Sequence, residues 1–165
     1  MRISHREIAM DIRRIVAMLL LSLLGAAAAA ADSSPSPSVR RDPVLERFDA
    51  AKDKQDWVAA AAVMREALGA NPNNADYHNL YAYSLRKGGA QDMDQVFKHY
   101  NEALRIDPKH RGAHEYLGEA YLQVGNLAKA KEELAALDKV CFFGCSEFTD
   151  LKKAISAYEA KVSRQ

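Results

Sequence analysis

Apolar side chains recur along this chain in steps of three, four and three, and they do so at three separate places. Trp57, Ala60, Met64 and Ala67 form the first run, Met93, Val96, Tyr100 and Ala103 the second, and Leu127, Ala130, Leu134 and Leu137 the third. At 3.6 residues per turn such spacing puts every member of a run on one helical stripe. The first two runs also end alike, in Ala67-Leu68-Gly69-Ala70-Asn71-Pro72 and Ala103-Leu104-Arg105-Ile106-Asp107-Pro108. Proline stops each helix there and pushes its predecessor out of helical geometry. The pattern therefore repeats with a period of about 33 to 37 residues. Each striped helix follows another: Val44, Phe48 and Ala51 mark the first partner, Tyr77, Leu80 and Ser84 the second, Leu117, Gly118 and Tyr121 the third. Gly125-Asn126 reads as a tight turn, while Gly88 to Asp92 makes a longer turn that is expected to be mobile. Gly118 and Ala130 are expected where the two helices of the last hairpin approach closely. Phe148, Leu151, Ile155 and Tyr158 form a fourth stripe, with Ser146 as the expected N-cap and Glu147 in the first turn.

The stretch from Leu117 to Leu134, two short amphipathic helices around Gly125-Asn126, resembles a tetratricopeptide repeat. The resemblance covers residues 41 to about 140. It implies an all-α, right-handed α-α superhelix of three hairpins, at about 41–73, 74–110 and 111–144. A capping helix at 146–161 completes a domain spanning 43–161. Arg47 stands where the family prefers leucine, and the Gly88 to Asp92 turn is three residues longer than the Gly125-Asn126 turn. Since one hairpin cannot bury its own stripe, about three and a cap are needed for stability. The resemblance further implies a concave face lined by the first helix of each hairpin, offered to a protein or peptide partner. Residues off the buried stripes fall on that face: Leu45, Glu46, Asp49, Lys52 and Asp53, then His78, Asn79, Ala82 and Arg86, then Glu115, Tyr116, Glu119, Leu122 and Gln123. Acidic ends favour a basic ligand, although an ordinary solvated helix face has the same composition. Chaperone-binding members of the family clamp a C-terminal carboxylate with lysine, arginine and asparagine. At the corresponding positions this chain has Leu45, Asp49, Asn79, Gly112 and Tyr116, of which only Asn79 fits.

Composition agrees with helices and narrows the partners. The net charge is +1 over 165 residues. Beyond residue 31 there are 19 basic and 20 acidic side chains. No basic stripe appears, which argues against nucleic acid. Ahead of the repeats, Arg13 and Arg14 precede an apolar run from Ile15 to Leu24, then Gly25 and six alanines to Ala31. This reads as a signal peptide over 1–31, cleaved before Asp32, with Met10 as an alternative initiator. Retention as an anchor is the alternative, but the run is marginal for spanning a bilayer. Residues 32–42, with Pro35 and Pro37, read as a flexible linker. The mature chain is then expected to be periplasmic or secreted, without a membrane span.

Cys141 and Cys145 are the one unusual feature. An exported chain with an even cysteine count favours a disulfide between them, which Gly144 helps to close. The alternative is Cys-x-x-x-Cys chemistry, with Cu(I) or in thiol exchange. A third possibility is a structural part of an envelope assembly. The string from Cys141 to Leu151 also resembles a C-terminal signature of small exported proteobacterial repeat proteins. His110 and His114 are four apart, but His110 falls in a loop and His114 at a packing position, so no metal site is expected. His78 is read as facing the groove and His99 as facing solvent. Ser84 and Ser156 lack a catalytic arrangement, and no phosphate loop or paired carboxylate stands out. Neither an enzyme, a cofactor nor a small-molecule substrate is expected.

Overall fold

The computed structural model describes residues 42–164. The expected signal peptide and nearly all of the linker lie outside them. Seven helices follow one another: α1 Pro43–Asp53, α2 Trp57–Ala70, α3 Ala75–Lys87, α4 Met93–Ile106, α5 Arg111–Gln123, α6 Leu127–Val140 and α7 Ser146–Val162. Each start is fixed locally by a side chain that accepts a hydrogen bond from an otherwise unpaired helix N–H. Asp42, Asp56, Asn74, Asp92 and Asn126 do this with oxygen, His110 with Nδ1 and Cys145 with Sγ. Two of these depart from expectation. His110 is the N-cap of α5 rather than a loop residue, and Cys145 replaces Ser146 as the cap of α7, leaving Ser146 as the first helical residue.

The stripes are where the spacing places them. Ala60, Met64, Val96, Tyr100, Ala103, Ala130 and Leu137 are fully buried. Contacts run between α1 and α2, α3 and α4, and α5 and α6, and between each hairpin and the next, with α3 also touching α5. That nearest-neighbour order makes a helical-repeat superhelix. Arg47, at the place where the family prefers leucine, reaches across the first hairpin to Glu66 at 2.8 Å in a solvent-exposed pair. The long turn of the second hairpin has its own backbone hydrogen bond and a close approach to α2. Ala90 N–H bonds the Leu85 carbonyl at 3.0 Å, and Gly88 lies so close to α2 that a Cβ there would come within 3.2 Å of Trp57 Cβ.

Helix α7 packs on both α5 and α6, with Leu151 and Ile155 joining Ala130 and Leu137 in one buried cluster. Gly118 serves this contact. A Cβ on it would meet Leu151 Cδ2 at 2.6 Å, so the close approach is to the cap. The expectation that Gly118 spaces the two helices of its own hairpin is thereby corrected.

Candidate functional site: a trough across the first helices

Residues 45, 48, 49 and 52 share one face of α1, and that face looks toward α3 and α5. Leu45, Phe48, Asp49 and Lys52 meet Leu80 and Tyr83 of α3 and Tyr116 of α5 around a cavity of about 460 Å³. Tyr83 and Tyr116 lie with ring centroids 4.7 Å apart. Lys52 is paired to Asp49 at 2.7 Å. The trough thus has an apolar and aromatic floor with its α1 charges already matched.

Beside the tyrosines sits Arg86, buried although charged. Its guanidinium donates to Glu119 Oε2 at 2.6 Å and to the Tyr100 hydroxyl at 3.3 Å. Its Cζ lies 5.7 Å from the Tyr83 ring centre and 5.9 Å from that of Tyr116. Burial works against its charge, but Tyr100 and Glu119 outweigh that and raise its pKa. Arg86 therefore ties α3 to α4 and α5 and is not free to meet a ligand.

Glu115 is the opposite case. It is 9% exposed, and among the described residues no cation lies within salt-bridge distance of it. Burial, then Glu119, Asp150 and Glu147, push its carboxyl up to about 7, with only Arg86 opposing. Tyr116 next to it is pushed up to about 12, chiefly by burial. Asn79 is also buried, and its Oδ1 has no hydrogen-bond partner. Its Nδ2 comes within 3.3 Å of where a Cβ on Gly112 would stand, so glycine leaves this amide its room.

The sequence-predicted groove set is thus only partly brought together. Asp49 and Tyr116 line the cavity, with Glu115, Glu119, Arg86 and Asn79 on the adjoining faces of α5 and α3. Glu46 is exposed on α1 outside the cavity, and Gln123 is exposed at the end of α5. Leu122 packs into the cluster of Leu137, Leu151 and Ile155, so it belongs to the capping contact. His78 is buried, with Nε2 2.9 Å from the Pro72 carbonyl and Nδ1 2.8 Å from Nδ1 of His99. It is not a groove residue, and His99 is its partner rather than a solvent-facing side chain. Tyr83 was missed. It lies four residues after Asn79 and three before Arg86, so the same helical spacing would have found it.

Cys141 and Cys145 are joined, with Cα atoms 5.6 Å apart, and neither sulfur is a free thiolate in this form. No group of three or more metal-binding side chains occurs among the described residues. No described helix is long and apolar enough to cross a membrane.

Residues 89–140 match the family model of the tetratricopeptide repeat. The TPR domain of Sgt2 from Aspergillus fumigatus superposes with a TM-score of 0.64 at 22% identity, over 79% of this chain and 83% of that one. The described domain has the fold of a tetratricopeptide-repeat array. The yeast Sti1 TPR2B domain, in its complex with pHsp70, gives a TM-score of 0.63 at 20% identity over 72% of this chain and 95% of that one. In sequence, the repeats are similar to the TPR repeat-containing thioredoxin TTL4 of Arabidopsis thaliana, 29% identical over 127 residues. That match takes 76% of this chain but 17% of the plant protein, so the chain spans about a sixth of that relative's length. Tetratricopeptide architecture accounts for α1 to α6, and α7 closes the array.

Proposed function

We propose that this protein is an exported, non-catalytic module that binds a polypeptide segment in its tetratricopeptide trough, and that the segment delivers a lysine or arginine to Glu115. The observation that carries this reading is the uncompensated Glu115 carboxylate beside the Tyr116 ring. A buried carboxylate without a partner is costly, and a ligand cation set between it and an aromatic face relieves that cost. The apolar floor from Leu45 and Phe48 to Leu80 suits a neighbouring aliphatic side chain. The Sti1 domain, solved in a complex with pHsp70, supports polypeptide binding as the mode of action. Its partner does not transfer to this chain, because lysine and arginine are missing from the clamp positions. Export rests on the sequence of residues 1–31, and an oxidised Cys141–Cys145 pair in the working protein fits an oxidising compartment.

Selection of displayed random peptides on the immobilised chain tests the reading. Enrichment of segments with a basic residue next to an apolar one is expected, with affinity lowered about tenfold by Glu115→Gln and by Tyr116→Ala. Selected peptides without basic residues, or binding indifferent to both substitutions, would remove the trough from consideration.

A further inference from the structure

The segment between α6 and α7 carries two aromatic side chains that the trough does not use. Phe142 is 86% and Phe143 98% exposed, the two most exposed of the large apolar side chains in the described residues. Their rings meet edge to face, with centroids 5.1 Å apart. They project from a ring closed by Cys141 and Cys145. One side of that ring is anchored, because Cys141 packs against the buried cluster of Leu137, Leu151 and Ile155. The chain then turns through Gly144 at φ +84°, and the Gly144 N–H bonds the Cys141 carbonyl at 2.8 Å. The two rings are therefore displayed on a short braced tip.

We propose that this tip is a membrane-contact loop whose ligand is the headgroup and acyl-chain boundary of a phospholipid bilayer. The area argues for lipid over protein. Two phenylalanines present roughly 300 to 400 Å², whereas a stable protein interface takes about 800 Å² from each partner. Among the described residues the other exposed large apolar side chains stand elsewhere, Val58 of them on α2. Val124 and Val162, also exposed, lie at the turn packed by Tyr158 and at the far end of α7, a helix about 25 Å long. A narrow convex knob has little shape to offer a folded partner, while a fluid bilayer closes around it without complementarity. The flanking charges, Asp138 and Lys139 on one side and Glu147 paired toward Arg111 on the other, balance rather than form a basic patch. The attraction is accordingly apolar and insensitive to salt. A single myristoyl chain gives an association constant of about 10⁴ M⁻¹. Two phenyl rings insert less apolar surface, so contact is expected at about millimolar lipid and is reversible.

The test uses the full chain carrying Phe143→Trp, with the unsubstituted chain and its single Trp57 as background. It is mixed with phosphatidylcholine vesicles, with and without anionic lipid, some carrying brominated acyl chains. The expected result is a blue-shifted emission from the new tryptophan, quenched by bromine at low and high salt alike, with Trp57 unaffected. Phe142→Ser with Phe143→Ser should cut vesicle co-sedimentation severalfold. An unquenched tryptophan at 143 would overturn the proposal even if the N-terminal apolar run brings the protein to vesicles, since quenching reads the loop itself. So would self-association without lipid, seen in sedimentation velocity and abolished by the serine pair, which would assign the tip to a second copy.

Discussion

Two residues of α5, one turn apart, do different work. Glu115 is buried among other carboxylates, and because its folded carboxyl titrates near 7 against about 4.3 unfolded, its charge weighs against the folded state. That cost is absent below the unfolded value, grows between the two and is complete above 7. Glu115→Gln should therefore stabilise the domain at pH 8 by on the order of 1–3 kcal/mol and leave it unchanged at pH 4, read by urea unfolding. The same linkage means that a ligand cation binds more tightly as pH rises from 6 to 8, releasing a proton as it does so. Gly118 faces the cap. Alanine there gains about 1 kcal/mol of helix propensity, but its methyl would collide with Leu151, which is fully buried and cannot swing into solvent. Gly118→Ala should cost about 1–2 kcal/mol net, and adding Leu151→Ala should make the two effects less than additive in thermal unfolding. That Gly118 would be in close contact was readable from its place in the repeat. Which helix it would touch was not, because spacing fixes the face of a residue and leaves open what is brought against it.

At the level of helices and hairpins, the second and third units share a polar clasp. His78 and His114, at equivalent places in consecutive repeats, each put Nε2 on the carbonyl of the proline that ended the preceding helix, at 2.9 and 3.1 Å. Each turns Nδ1 toward the following helix. There the units diverge: His78 meets His99, while His114 meets Glu133 Oε2 at 2.7 Å. With both nitrogens of His114 facing acceptors, the imidazolium is favoured. Burial opposes this, but Glu133 and the Pro108 carbonyl prevail and raise its pKa. His99 is driven the other way, down to about 4, by burial, by His78 and by Lys98, with Glu102 opposing. A raised histidine adds stability that is lost as pH rises through its folded value. A depressed one removes stability as pH falls from about 6.5 toward 4. His99→Glu, which copies the third unit into the second, should make the domain less sensitive to acid. The expected readout is a smaller loss of urea midpoint between pH 7.5 and 5 than in the unsubstituted chain. The helices themselves were legible from three-four-three spacing and from proline stops, since both follow from covalent geometry. The pairing of His78 with His99 was not, because the two lie 21 residues apart and meet only when the hairpin closes.

Across the whole described domain, each helix touches only helices one or two places away in the chain, so the array is only as secure as its ends. At the C-terminal end α7 covers Leu122, Ala130 and Leu137 through Leu151 and Ile155. Removing residues 146–165 should expose these side chains, lowering Tm by roughly 10 °C or more and promoting aggregation, as followed by circular dichroism and light scattering. The number of units and the terminal helix could be foreseen because an exposed stripe demands a cover. The trough's character could not, since Arg86 looks like a free cation in sequence and is spent on Glu119 and Tyr100 once the helices are stacked. Helix α7 has a further effect through where it lies. By resting on α5 as well as α6, it takes the seat that the opening helix of a fourth unit would need. A helix placed there hides the apolar edge of the third unit as a further unit would.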